Sequence, residues 1–227
     1  MKKYTIEKIE ELESFQHRLI EGKLDVYITK IEGTYSWWNP EEETNIKERL
    51  IKGEKLLKQK VKIPKTILSF NNTLIRPKIT EEPIKDEDFI IKIAKTVAII
   101  HSIPIPENKD HIGDARLDTQ LKVLDKYFNI NKLKKNIPKE RQNVLLHGDC
   151  HEGNFIFNKD IYVLDLEEFA YGQREIDVAE IIDSPFLKNH KKLFIDTYEH
   201  YSGVKLYNLD FFCELQKYRF KLYSKIK

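Results

Sequence analysis

Short runs of hydrophobic residues occupy the first thirty positions of the chain. The runs at residues 4–9, 15–20 and 24–31 are rich in β-branched and aromatic residues, and charged or glycine-containing segments separate them. Such runs predict β-strands, and their close spacing predicts a three-stranded meander. Lys30 stands near the end of the third strand, where a lysine either extends its ammonium group to water or contacts a ligand.

A helix and a second pair of strands are predicted to complete this sheet. The segment Asn39–Glu43 combines a polar cap, a proline and three acids, which indicates a helix that runs to about Gln59. Its predicted inner face contains Ile46, Leu50, Ile51 and Leu57, with Glu54 at the edge. Apolar runs at residues 63–70 and 73–79 flank Asn71-Asn72, which predicts a hairpin. A sheet of about five strands with one helix follows.

Helical periodicity dominates the rest of the chain. After a charged connector at residues 80–88, apolar residues recur at three- and four-residue spacing. The predicted helices are Phe89–His101, Ala115–Phe128, Ile176–Ile182, Leu187–Tyr201 and Leu209–Ser224. Gly203 is a predicted helix stop, and residues 129–141 form a loop or a short helix. We therefore expect an α+β protein with a small antiparallel sheet in residues 1–80 and a mainly helical region in residues 81–227.

Bulk composition narrows the class of protein. The 227 residues contain 39 Lys+Arg and 37 Asp+Glu, and a net charge of +2 argues against nucleic acid or an anionic membrane as a partner. A hydrophobic content of 41% indicates a globular protein, and no apolar run approaches the ~20 residues of a membrane helix. The first residues lack the apolar segment of a signal peptide, and two cysteines support no disulfide framework. We expect a cytoplasmic protein.

Polar residues of catalytic type cluster around one hairpin in the helical region. Residues 143–146 form a predicted buried strand, and residues 155–157 and 161–164 form the predicted hairpin. This hairpin should bring Asn154 and Asp165 back beside Asp149. An Asp, an Asn five residues later and a second Asp after a hairpin follow the order of kinase catalytic and metal-binding loops.

These residue types match the needs of phosphoryl transfer. The γ-phosphoryl group needs its charge neutralised and its nucleophile oriented. Oxygen atoms of Asn154 and Asp165 can hold Mg²⁺. The carboxylate of Asp149 can orient a substrate hydroxyl and accept its proton, while His147 would brace the loop.

This cluster of polar residues has two other possible interpretations. A hydrolytic metal site could use His147, Asp149, Cys150 and His151, but the chain has no upstream Asp-x-His partner and no second histidine cluster near a strand end. A polar turn with a chance Asp–Asn spacing would not be expected to hold four such positions in this order between apolar strands. A phosphotransferase site is therefore the favoured hypothesis.

The segments VLLHGDCHEGNFIF and VLDLEEFAYGQREIDVAE resemble the aminoglycoside phosphotransferase and choline kinase superfamily, which are small-molecule kinases with a protein-kinase-like fold. Residues 63–79 look like its fourth and fifth strands and nucleotide hinge, and IIKIAKTVAIIHSI looks like the first helix of its large lobe. The resemblance implies a bilobal fold, with a nucleotide-binding lobe at 1–80 and a catalytic and substrate-binding lobe at 81–227. It also implies Mg²⁺ and ATP as cofactor and donor.

The resemblance assigns roles to further residues. The implied nucleotide contacts are Lys30, Glu54, Ile75 and Pro77. Lys30 would contact the α and β phosphates, and Glu54 would pair with it, although the sequence does not separate Glu54 from Glu48 on the same helix. Asp177 would support the loop around His147.

The chain departs from this family in two respects. It is shorter than most members, and Glu10–Ser14 stands where a glycine-rich loop over the phosphates is expected. The roughly 45 residues between His101 and His147 resemble a substrate-binding wall, which favours a small acceptor.

The leading hypothesis is a kinase that phosphorylates a hydroxyl of an aminoglycoside, an amino alcohol such as choline or ethanolamine, or a sugar. An acidic wall for an amine-bearing acceptor could be formed by Glu167, Glu168, Glu175, Glu180 and Asp183, and a solvated acidic surface is the alternative. Two further hypotheses stay open: a weak or inactive nucleotide-binding protein and an atypical protein kinase. The sequence does not distinguish ATP from GTP.

Overall fold

The computed structural model of the chain describes residues 17–18, 25–31, 38, 45–66, 68–70, 73–139 and 141–226. For residues 17–18, 25–30, 68, 70 and 226 the description covers the backbone alone. Four predicted features lie outside these ranges: the strand at 4–9, the segment Glu10–Ser14 at the place of a glycine-rich loop, the helix start at 39–43 and the turn at Asn71-Asn72.

A small antiparallel sheet is formed by the described residues of the first 80 positions. Its strands are β1 (His17–Arg18), β2 (Asp25–Lys30), β3 (Leu68–Phe70) and β4 (Thr73–Pro77), in the order β1-β2-β4-β3. Strand β4 lies inside the sheet and pairs with β2 from Val26↔Pro77 to Lys30↔Thr73. The predicted sheet is thus present, with four strands in the described residues where about five were expected.

In the described residues of the first 80 positions, one helix, α1 (Ile46–Leu57), accompanies this sheet. It begins after Asn45, whose side chain accepts the backbone N–H of Glu48 at 3.1 Å and so caps the helix. Ile46, Leu50 and Leu57 are buried as predicted, but Ile51 is 36% exposed. At 3.6 residues per turn, Ile51 points about 140° away from Ile46, which explains why its predicted inner position was wrong.

The rest of the chain is mainly helical. Its helices are α2 (Asp86–Ser102), α3 (Leu117–Tyr127), α4 (Asn131–Lys134), α5 (Glu175–Ile182), α6 (Lys191–Ser202) and α7 (Leu209–Ile226). Helix α2 packs against α6, and α5 packs against α7. Gly203 ends α6 with a φ of 68°, as the sequence predicted. Among the described residues, no helix is both long and apolar enough to cross a membrane.

Five short strands lie among these helices. Three of them, β5 (Gly113–Asp114), β6 (Asn143–Leu146) and β9 (Ala170–Gln173), form a sheet in the order β5-β9-β6. The other two, β7 (Phe155–Asn158) and β8 (Asp160–Val163), form the predicted hairpin. The sequence missed β5 and β9, because each is at most four residues long and contains a glycine.

Candidate active site

The loop after β6 contains His147, Gly148 and Asp149, and its backbone is fixed from below by helix α5. The buried carboxylate of Asp177 accepts the N–H of His147 at 2.7 Å and the N–H of Gly148 at 3.1 Å. Gly148 adopts a φ of 92°, and a Cβ atom there would lie 1.8 Å from the carbonyl oxygen of Glu168. Only glycine fits this turn, so the backbone conformation at Gly148 sets the direction of the loop at Asp149.

A buried chain of hydrogen bonds continues from Asp177 into helices α2 and α6. Nε2 of His101 lies 3.1 Å from Oδ2 of Asp177, and Nδ1 of His101 lies 2.7 Å from the hydroxyl of Tyr198. Because a carboxylate only accepts, Nε2 carries a proton and donates to Asp177, and in the neutral imidazole Nδ1 then accepts from the tyrosine. Two helices therefore support the carboxylate that holds the loop.

The side chain of Asn154 is bonded to Asp149. Its Nδ2 donates to the carbonyl oxygen of Asp149 at 2.8 Å and to Oδ2 of Asp149 at 3.1 Å. Residues 152–154 form one 3₁₀ turn, in which Nδ1 of His151 accepts the N–H of Gly153. Since both bonds use the amide nitrogen, the carbonyl oxygen of Asn154 is the atom left for another ligand.

The hairpin of β7 and β8 returns the chain to this loop at Asp165. The N–H of Leu164 donates to the carbonyl of Asn154 at 2.9 Å, and Nε2 of His147 lies 2.8 Å from the carbonyl of Leu164. Asp165 itself adopts a φ of 48°, at the position where the chain leaves β8. The structure thus brings Asp149, Asn154 and Asp165 together, with His147 and Asp177 beneath them.

Electrostatics separate the two aspartates. Burial raises the pKa of Asp149. Three neighbours outweigh burial and lower this pKa below its usual range: His151, whose Nε2 lies 3.6 Å from Oδ2 of Asp149, the charge of His147, and the Asn154 amide. For Asp165, burial and the neighbouring charge of Asp149 both raise the pKa. Asp149 is therefore ionised at neutral pH, beside a second carboxylate that it repels.

The same region fits a hard cation. Burial and the charges of Asp165 and Glu168 raise the pKa of Glu167 to about 7, so excess negative charge extends beyond Asp165. Oxygen atoms in an acidic setting are the donors that Mg²⁺ prefers, and Mg²⁺ is usually held by one or two protein carboxylates together with phosphates. No set of three or more His, Cys, Asp or Glu side chains in the described part of the chain is arranged to hold a metal. The donors present suit Mg²⁺ shared with a nucleotide.

Two ligands of the alternative hydrolytic site, Cys150 and His147, are otherwise engaged. Cys150 is fully buried, and burial together with the charges of Asp177 and Glu180 raises the pKa of its thiol. The Nε2 atom of His147 is bonded to a backbone carbonyl. Cys150 and His147 therefore belong to the support of the loop.

The residues expected to bind nucleotide lie on β2, α1 and β4. Glu54 Oε1 lies 2.5 Å from NH2 of Arg76, and its Oε2 accepts the hydroxyl of Thr66 at 3.3 Å. Burial raises the pKa of Glu54, against the lowering effects of Arg76 and Thr66. Glu48, the other candidate, is exposed on the helix surface. The glutamate that faces the sheet is therefore Glu54.

The other expected nucleotide positions are Lys30 on β2 and Ile75 and Pro77 on β4. The backbone of Lys30 pairs with Thr73, but its side chain lies outside the described part, so its pairing with Glu54 stays a prediction. Ile75 is buried in β4, and Pro77 ends that strand half-buried. Their contact with nucleotide also stays a prediction.

Residues 81–214 match the sequence model of the phosphotransferase enzyme family. The chain belongs to this family. Membership confirms the enzyme class that the central motif predicted. No curated protein matches the sequence.

Solved structures show the fold of this phosphotransferase. The choline kinase LicA from Streptococcus pneumoniae aligns with a TM-score of 0.71 at 16% identity, over 93% of this chain and 81% of that one. An aminoglycoside-3'-phosphotransferase of type VIII aligns with a TM-score of 0.62 at 11% identity, over 95% and 93% of the two chains. A Plasmodium vivax ethanolamine kinase aligns with a TM-score of 0.61 at 20% identity, over 92% and 72%. The predicted α+β, protein-kinase-like fold is confirmed.

Two members of the expected acidic wall turn out to be structural in the phosphotransferase. The Glu168 carboxylate lies 3.3 Å from NH1 of Arg49, and both side chains are buried. Glu180 is also buried, and its Oε2 accepts the N–H of Cys150 at 3.2 Å. Buried carboxylates with partners inside the protein cannot form a surface for an acceptor, so this interpretation was wrong for Glu168 and Glu180.

Several residues that support the site carried little signal in the sequence. In the sequence, His101 and Tyr198 have no feature that distinguishes them from other residues of amphipathic helices. Arg49 and Trp38 are far from the central motif in the chain. The only usable signal was a histidine on the apolar face of the helix that precedes the catalytic loop.

Proposed function

We propose that this phosphotransferase moves the γ-phosphoryl group of ATP, with Mg²⁺, to a hydroxyl group of a small-molecule acceptor. The observation that supports this most directly is the setting of Asp149. Its carboxylate has a lowered pKa, receives the Asn154 amide at 3.1 Å and follows a loop whose backbone Asp177 holds. An ionised carboxylate held in this way can orient a hydroxyl and take its proton as the phosphorus–oxygen bond forms.

The other residues take roles around this base. Asn154 and Asp165 would hold Mg²⁺, which when bound neutralises charge on the transferred phosphoryl group. Lys30, Glu54, Ile75 and Pro77 would bind the nucleotide, in a lobe that comprises residues 1–80. Residues 81–227 would then form the catalytic and substrate-binding lobe.

The acceptor is proposed to be an aminoglycoside, an amino alcohol or a sugar. Similar solved structures support a small acceptor, since one is a spectinomycin phosphotransferase in complex with ADP and spectinomycin and another is an amicoumacin kinase in complex with AMP-PNP, Ca²⁺ and Ami. Glu167 and Glu175 are the half-buried acids of the expected wall that remain available for an amine.

A screen of ADP release tests this function. The wild-type protein is incubated with Mg²⁺ and either ATP or GTP, and with each acceptor class in turn, beside an acceptor-free control, and the release of ADP or of GDP is measured for the respective donor. We expect acceptor-dependent ADP release that EDTA abolishes and that Asp149→Ala lowers by roughly 10²–10⁴-fold, the usual contribution of a general base. Glu214→Ala, a control at an exposed position of α7 outside the expected acidic wall, should retain wild-type rates.

The remaining outcomes each contradict the proposal. If no acceptor raises ADP release, the small-molecule kinase fails. If Asp149→Ala leaves the rate unchanged, Asp149 is not the base. Transfer of labelled phosphate to the protein itself or to a protein substrate, without transfer to any small acceptor, would instead show a protein kinase.

A further inference from the structure

The segment that carries Asp165 is bound directly to helix α1. We define residues 165–169 as the metal loop. NH1 of Arg49, in the first turn of α1, lies 3.3 Å from Oε2 of Glu168 and donates to the carbonyl oxygen of Glu167 at 3.4 Å. The side chains of Arg49 and Glu168 are 5% and 8% exposed. One buried guanidinium therefore contacts two consecutive residues of the metal loop.

The next turn of α1 packs against the same loop without space between them. A Cβ atom on Gly53 would lie 2.9 Å from Cγ of Phe169 and 3.3 Å from Cβ of Leu166. Phe169 and Leu166 are both buried. Because the interface is close-packed, α1 cannot shift without moving the metal loop or losing these contacts.

The backbone of Glu168 is held as firmly as its side chain. Its carbonyl oxygen accepts the indole N–H of Trp38 at 2.8 Å and faces Gly148, where no Cβ atom would fit. The guanidinium carbon of Arg219, on α7, lies 3.8 Å from the centre of a Trp38 ring. Glu168 thus contacts the catalytic loop, Arg49 of helix α1 and Trp38, and Trp38 in turn contacts Arg219 of helix α7.

We propose that Glu168 is a positioning residue, which couples helix α1 to the metal loop and thereby sets the affinity of the site for the metal–nucleotide complex. The inference rests on the proposed function, in which Asp165 of the metal loop binds Mg²⁺ and Glu54 of α1 serves the nucleotide. Glu168 lies three residues after Asp165, and Arg49 lies five residues before Glu54. The Arg49–Glu168 pair therefore joins the two elements that must approach the same phosphates.

Nucleotide binding with and without metal tests this role. The dissociation constant of ATP is measured by calorimetry for wild type and Glu168→Gln, once with Mg²⁺ and once with EDTA. Residues that orient metal ligands contribute about 10–100-fold to metal affinity. We therefore expect Glu168→Gln to raise the dissociation constant of ATP measured with Mg²⁺ about tenfold. The constant in EDTA should stay within about twofold of wild type. Glu214→Gln, which removes an exposed glutamate paired with Lys217 on α7, should change neither constant.

A second variant covers the case in which Glu168→Gln does not fold. Arg49→Lys keeps the positive charge, but a single ammonium cannot reproduce the guanidinium geometry, so it should raise the Mg²⁺-dependent constant in the same direction. Equal loss of affinity with and without metal, or no loss in either variant, would overturn the inference while leaving the proposed function intact. A wild-type protein that does not bind ATP with Mg²⁺ would overturn the proposed function, and the inference with it.

Discussion

At the scale of single residues, the position of Asp177 requires a fully buried side chain that accepts several hydrogen bonds. Two carboxylate oxygens accept hydrogen bonds from the backbone of His147 and Gly148 and from the ring of His101, and the side chain has no exposed surface. A buried donor left without a partner costs about 1–3 kcal/mol.

We therefore expect Asp177→Ala to lower the free energy of unfolding by about 3–5 kcal/mol, the usual cost of removing one partner from a buried charged network. Urea denaturation followed by circular dichroism measures this change. Asp183→Ala removes an exposed acid at the end of the same helix, whose carboxylate lies 3.7 Å from the ammonium group of Lys191. This variant should lower the free energy of unfolding by less than about 0.5 kcal/mol. Similar losses in the two variants would show that Asp177 does not support the loop.

The two cysteines should differ in reactivity. Cys150 is fully buried beside Asp149, and burial raises the pKa of its thiol, so almost no thiolate is present near neutral pH. Cys213 is half-buried on α7. Alkylation of the native protein with iodoacetamide, followed by mass spectrometry, should label Cys213 and leave Cys150 unmodified until urea is added. Native labelling of Cys150 would contradict the described burial.

The sequence predicted the residues of the central motif far better than the residues that support them. Asp149, Asn154 and Asp165 lie within one short stretch, where spacing and flanking strands limit their arrangement. By contrast, His101 and Asp177 are 76 positions apart, and Arg49 and Glu168 are 119 apart. Such pairs are set by how helices pack, and no local pattern encodes them.

At the scale of elements, two turns depend on glycine for different reasons. Gly203 ends α6 at a φ of 68°, and a Cβ atom there would meet nothing within 4 Å. Gly148 has a φ of 92°, and a Cβ atom would collide with the backbone of the metal loop. The first turn needs only an unusual backbone conformation, whereas the second also needs the absence of a side chain.

Alanine at the two positions should separate these effects. Gly203→Ala should cost about 1–2 kcal/mol, since only the left-handed conformation is penalised. Gly148→Ala should cost clearly more and should abolish phosphoryl transfer, because the catalytic loop and the metal loop must separate. Urea denaturation and the ADP-release assay measure the two effects. An active Gly148→Ala variant would show that the two loops need not touch.

Secondary-structure elements were predicted correctly where a long stripe of apolar residues marks a helix. They were missed where the element contains only a few residues. The stripe from Phe89 to Ile100 predicted α2 to within a few residues, and the hairpin after Asn154 appeared as expected. Helix α6 starts later than predicted, because Pro185–Leu187 forms a separate 3₁₀ turn capped by Ser184. Strand β9 pairs with β6 on one side and β5 on the other, which its own four residues do not indicate.

At the scale of the whole molecule, carboxyl groups with a raised pKa set the expected change of stability with pH. Burial is the main cause that raises the pKa of five carboxyl groups, to about 7 for Glu167 and about 8 for Glu180. The five groups are Glu54, Asp165, Glu167, Glu175 and Glu180. In the unfolded chain such groups titrate near pH 4–4.5. Between these values the folded protein binds more protons than the unfolded chain, so raising the pH through this range destabilises the fold.

Carboxyl groups with lowered pKa act in the opposite direction but in another range. The lowered pKa values of Asp114 and Asp149 stabilise the fold above their unfolded pKa, and this contribution is lost only as the pH falls below about 4. They therefore do not compensate the buried acids near neutral pH. The melting temperature should fall steadily from about pH 4.5 to about pH 8.

Glu180 should account for a large part of this fall. Its carboxyl group lies in the interior, where the charge of Arg219 lowers its pKa but burial outweighs that effect. Glu180→Gln removes the titrating proton and keeps the size of the side chain, so its melting temperature should change less over the same range. Glu214→Gln, at an exposed position, should follow the wild-type curve. A Glu180→Gln curve parallel to that of wild type would show that Glu180 is ionised throughout, as a permanent partner of Arg219.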